Sequence, residues 1–142
     1  MIKKISLILI IFIFCISAAY ASNLNTLEIP HDFSGKKADG QFFMPKSYDN
    51  PRFLIEEYNE SGVNFKNSST YKFWPSDEKD IYFIRNQKIS DLGAIELVKI
   101  DGKKYTVSVL YAITITDEDY MQDAVNYLKE FNQKNNITPI AP

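Results

Sequence analysis

The sequence predicts an α+β domain: an antiparallel sheet with a C-terminal amphipathic helix packed on one face. Three observations predict it. Residues 104–115 alternate for twelve positions, with Tyr105, Val107, Val109, Tyr111, Ile113 and Ile115 on one side and Thr106, Ser108, Ala112 and Thr114 on the other. That period of two is the signature of a half-buried strand. Asp101-Gly102 separates this stretch from the apolar run at 94–100, and such a pair supports the left-handed type I′ turn that joins twisted strands. Tyr120, Met121, Ala124, Val125, Leu128 and Phe131 then recur at three- and four-residue steps, opposite Gln122, Asp123, Asn126, Lys129 and Glu130. Strand, strand and helix with one shared apolar core make a ββα ending.

Residues 1–21, from Met1 to Ala21, read as an export signal, the helix that precedes the domain. Lys3 and Lys4 form the positive start, 5–16 is an apolar run, and Ala19 and Ala21 place small residues before a cleavage point at Ser22. The apolar run is shorter than the roughly 20 residues of a spanning helix. If uncleaved it would act as a membrane anchor, and it is the one expected membrane contact. The expected location is secreted or cell-surface.

Cleavage leaves a single domain over 22–142, with the net charge moved from −2 to −4 by the loss of Lys3 and Lys4. Cys15, the only cysteine, leaves as well, and His31 is the only histidine. This excludes a disulfide scaffold, a thiol enzyme, a Cys/His zinc site and any site of two histidines. Eight Phe, eight Tyr and Trp74 remain to fill a core without cross-links.

Within the domain, 25–29 reads as a short strand stopped by Pro30. Residues 41–44 read as an edge strand, because Pro45 cannot donate to a ladder. Residues 53–58 suit a strand or a helical turn equally, while 70–74 and 81–84 suit strands. Thr116 is the expected N-cap of the helix, with Asp117, Glu118 and Asp119 at the positive end of its dipole. Asn135-Asn136 and Pro139 close it. The tail 137–142 is expected to fold back along its own sheet; its alternative is docking onto a neighbour.

Candidate chemistry is sparse, and no catalytic set, cofactor or metal site is expected. His31-Asp32 is the one place for imidazole chemistry, and no Gly-x-Ser-x-Gly elbow presents a nucleophile to it. Asp77-Glu78-Asp80 and Asp117-Glu118-Asp119 lack the alternation and the glycine of a calcium loop. Asn59, Asn67 and Asn136 each open an N-glycosylation sequon. Nucleic acid is an unfavourable partner for a chain of this charge. Tyr48, Tyr58, Tyr71, Trp74 and Tyr82 belong either to the core or to an exposed platform for a glycan or peptide.

In Leu27-Glu28-Ile29-Pro30, in 96–109 (ELVKIDGKKYTVSV) and in 127–142 (YLKEFNQKNNITPIAP), the chain resembles small secreted proteins of methanogenic archaea. That resemblance implies export and the ββα ending, and brings no active site. A looser likeness, in the early strand-Pro and the final hairpin and helix, is to the PsbP/Mog1 type of small α+β domain, and implies fold alone. The functional expectation is an exported, non-enzymatic domain that binds a protein or glycan at the cell surface. Its alternatives are a carboxylate-dependent hydrolase of envelope material, which needs only two facing acids, and a structural envelope component.

Overall fold

The computed structural model describes residues 26–37, 41–43, 51–112 and 118–142. The expected export signal, with Ala19, Ala21 and Ser22, lies outside the described residues, as do Tyr48, Ile113, Ile115 and the expected cap Thr116. Seven strands, β1 (Ser34–Lys37), β2 (Gln41–Phe43), β3 (Arg52–Glu57), β4 (Tyr71–Pro75), β5 (Ile81–Asn86), β6 (Asp91–Ile100) and β7 (Lys103–Ala112), form one sheet. Every pairing is antiparallel, in the order β1-β2-β3-β7-β6-β5-β4. Among the described residues one helix, α1 (Glu118–Asn135), lies across β6 and β7. This is the α+β fold with its ββα ending.

The hairpin at its centre forms as the residues dictate. Asp101 and Gly102 have φ of 52° and 77°, the two left-handed positions of a type I′ turn, and Ile100 pairs with Lys103 across them. On the helix side, Val107, Val109 and Tyr111 of β7, with Ala94, Val98 and Ile100 of β6, bury against Val125, Leu128 and Phe131. Phe53 of β3 enters the same core, its ring 5.1 Å from that of Phe131. The helix ends at Asn136, whose φ of 53° reverses the backbone so that the Ile137 N–H donates to the Asn132 carbonyl at 2.9 Å. This is the 6→1 bond of a Schellman cap.

The tail folds back. β5 reaches only as far as Glu96, which pairs with Ile81, so beyond it β6 lacks a strand on that side. The Ile140 N–H fills the place, donating to the Leu97 carbonyl at 2.8 Å in an antiparallel bridge.

Two expectations for the early residues are corrected. Residues 27–30 form no strand; a side chain takes the part a neighbouring strand would play. The Glu28 N–H donates to Asn135 Oδ1 at 2.7 Å and Asn135 Nδ2 returns a bond to the Glu28 carbonyl at 2.8 Å. The second concerns 41–44: β2 is not the edge strand expected there, because β1, which the polar stretch Ser34–Lys37 did not announce, pairs with its outer side while β3 pairs with its inner one.

The face away from the helix is also covered. Residues 58–70 cross it, placing Val63 and Phe65 against Phe73, Ile84 and Ile95. Phe65 stacks on Phe73 at 5.6 Å and meets Tyr82 edge-on at 5.7 Å. It does so with φ of 60°, a left-handed conformation that is strained for a bulky residue.

Candidate functional site

Three polar constellations stand out. The first holds the only histidine. His31 Nδ1 lies 2.7 Å from Glu130 Oε1 and Nε2 lies 3.1 Å from Asp32 Oδ1. The Tyr127 hydroxyl donates to Asp32 Oδ2 at 2.6 Å. Burial, with the hydrogen bond and charge of Asp32, holds the Tyr127 phenol above its ordinary range, so it remains a donor. Both imidazole nitrogens are engaged by carboxylates, and the His31 N–H also donates to Glu130 Oε2 at 3.1 Å. These contacts fasten the 31–32 turn to α1.

The second is a single acid beneath the helix. Glu96 of β6 is 0% exposed, and burial raises its carboxyl to about 8, against the lowering effect of a 2.7 Å hydrogen bond from Asn132 Nδ2. Its Oε1 and the Asn132 Oδ1 are buried without hydrogen-bond partners among the described residues. This pair sits within the core and borders neither of the two clefts described below.

The third is a cleft of about 130 Å³ on the loop-covered face. Leu54, Ile95, Ser108 and Leu110 supply its floor from three neighbouring strands, and Val63 and Tyr71 wall it. Glu56, Asn86 and Asp91 add polar groups, and Ile89, 57% exposed, stands at its edge. The Arg52 guanidinium pairs with Asp91. Ser108 is only 7% exposed; its hydroxyl makes no hydrogen bond to a described residue and opens to the cleft, where water reaches it. A hydroxyl so placed can donate to or accept from a ligand in the cleft.

No protein-family model, curated protein or solved structure matches the chain.

The site must therefore be read from its own chemistry. The aromatics divide between the two faces. Tyr71 and Tyr82 lie on the cleft side with Phe73, while Trp74 lies on the helix side against Phe83, 6.0 Å away. Each is half-buried, as is Tyr58, and only Tyr71 lines the cleft. Asp77, Glu78 and Asp80 belong to a tight loop before β5. Ser76 Oγ donates to the Ile81 carbonyl at 2.6 Å, and Glu78 pairs with Lys129 at 2.9 Å. Among the described residues no three His, Cys, Asp or Glu gather as metal ligands, and no helix is long and apolar enough to cross a membrane.

The three sequon asparagines are exposed. Asn59 Oδ1 accepts from the Ser61 N–H at 3.0 Å, and Asn67 Oδ1 accepts from the Phe73 N–H at 2.7 Å. Asn136 occupies the left-handed cap of α1. An N-linked sugar departs from Nδ2, so the bonds at Asn59 and Asn67 are compatible with modification.

Proposed function

We propose that the chain is an exported, non-enzymatic binding domain that takes a glycan in the cleft between the sheet and residues 58–70. The observation that carries this reading is the Ser108 hydroxyl, which opens onto the floor of an accessible cleft from a residue more than nine-tenths buried and makes no bond to a described residue. Around it stand an acceptor carboxylate on Glu56, an amide on Asn86 and an aromatic wall at Tyr71. A sugar offers hydroxyls that donate and accept, and a C–H face that packs on a ring, which this mixture of groups suits. Apolar floor residues with a few convergent polar groups are the usual make-up of a ligand cleft.

The hydrolase alternative draws less support from the same cleft. Its two acids, Glu56 and Asp91, stand beside Thr106 and Ala112 of β7. Their backbones are therefore roughly 20 Å apart at about 3.3 Å per residue, whereas glycosidase carboxyls stand about 5–10 Å apart. Asp91 is also engaged by Arg52. The envelope-component alternative relied on the tail docking onto a neighbour, and Ile140 instead pairs with Leu97 of its own sheet.

Binding of glucose, N-acetylglucosamine and soluble envelope polysaccharide fragments, followed by calorimetry, tests the reading. Saccharide binding is expected to weaken about tenfold or more in Tyr71→Ala and in Ser108→Val, with Ser108→Val close to the parent in melting temperature. A protein that binds none of these saccharides, or variants that bind them as the parent does, would sink it.

A further inference from the structure

We infer that this cleft is half of a continuous groove, and that a second subsite beyond Glu56 receives the next unit of a linear glycan. The inference rests on the proposed reading of the first cleft. A second hollow of about 100 Å³ adjoins it, and the two share Glu56 and Val63 as common lining. Thr106 lies in the second as Ser108 lies in the first. Both belong to β7, two residues apart and so on one face of the sheet. Thr106 is 6% exposed, and its hydroxyl too has no hydrogen bond to a described residue.

The groove thus presents one device twice along the strand: a hydroxyl at Thr106 and another at Ser108, roughly 7 Å apart, each opening to its own hollow. Glu56 is in register with Thr106 and lies at the junction of the two hollows. A carboxylate there has two oxygens and can accept from a hydroxyl on either side. Val63 borders both hollows, so a ligand reaching both must run past it along the strand. The loop that carries Val63 is fixed in shape. Asn59 accepts the Gly62 N–H at 2.9 Å through its carbonyl and the Ser61 hydroxyl at 2.8 Å through its side chain. Both hollows exist without rearrangement of these bonds. Repetition of the same group at strand spacing is what a repeating ligand would meet, and a single sugar ring would leave Thr106 unanswered.

The test is calorimetric titration of the whole protein with glucose and N-acetylglucosamine and with their β-1,4 oligomers of two to four units. Affinity is expected to rise about tenfold or more from one unit to two or three. Thr106→Val should abolish that gain while leaving monomer binding unchanged, Thr106→Ser should keep it, and Ser108→Val should weaken every member. Equal binding of monomer and oligomers, or a gain that survives Thr106→Val, overturns the second subsite alone. If no saccharide in the series binds, the reading of the first cleft falls with it.

Discussion

A Cβ built on Gly93 would stand 1.8 Å from the Val109 carbonyl oxygen. β6 and β7 therefore approach each other at this point more closely than any other residue permits. Gly93→Ala must push the two central strands apart, and a loss of at least about 2 kcal/mol is expected, read as a lower midpoint in urea denaturation. An unchanged midpoint would show that the strands separate freely there. The same scale explains why the cleft was not legible in the sequence. Thr106 and Ser108 sit at the polar positions of an alternating strand, and alternation assigns such positions to solvent. Residues 58–70 bury them instead, and nothing local in β7 signals that cover. Phe65, left-handed and stacked on Phe73, belongs to the same hidden layer: its conformation is set by its neighbours, not by its own preference.

At the scale of elements, α1 and the β6–β7 hairpin were the most legible, because period and turn chemistry agree with the tertiary fold there. Their contact nevertheless contains a feature that periodicity does not show: Glu96 faces the helix among apolar neighbours, with Ile81 and Val107 beside it in register. Its folded-state value of about 8 stands above the ordinary 4.5, so between those values the native state holds a proton that the unfolded chain has released. The stability contributed by neutral Glu96 is fully present below about pH 4.5. It declines as pH rises and is lost above about 8, at a slope on the order of 1.4 kcal/mol per pH unit in between. Melting temperature is expected to fall from pH 5 to pH 8 in the parent and to change less in Glu96→Gln. The substituted amide keeps an acceptor for Asn132 Nδ2 and carries no charge to desolvate. Parallel profiles for the two proteins would contradict this account.

For the whole molecule, the strands of the second half and the return of the tail were legible, but the closure of the early residues onto the last helix was not. Ile140 of the tail pairs with the strand edge that β5 leaves open at Leu97, and Ile137 packs on the main core. Removing 137–142 is expected to cost about 2 kcal/mol through the lost cap, bridge and apolar burial. Thermal unfolding would register this as a lower melting temperature, and an unchanged value would mean the tail contributes nothing to the fold. The other closure joins Glu28 to Asn135, 107 positions apart. With β3 pairing to β7 as well, Phe53 to Val109, the fold depends on contacts that bridge most of the sequence. Chains closed by such distant contacts must give up the entropy of long loops before they gain the contacts, and they fold in milliseconds to seconds rather than microseconds. The side-chain clamp at Asn135 therefore has a kinetic meaning: the sheet cannot be sealed until the last helix has formed.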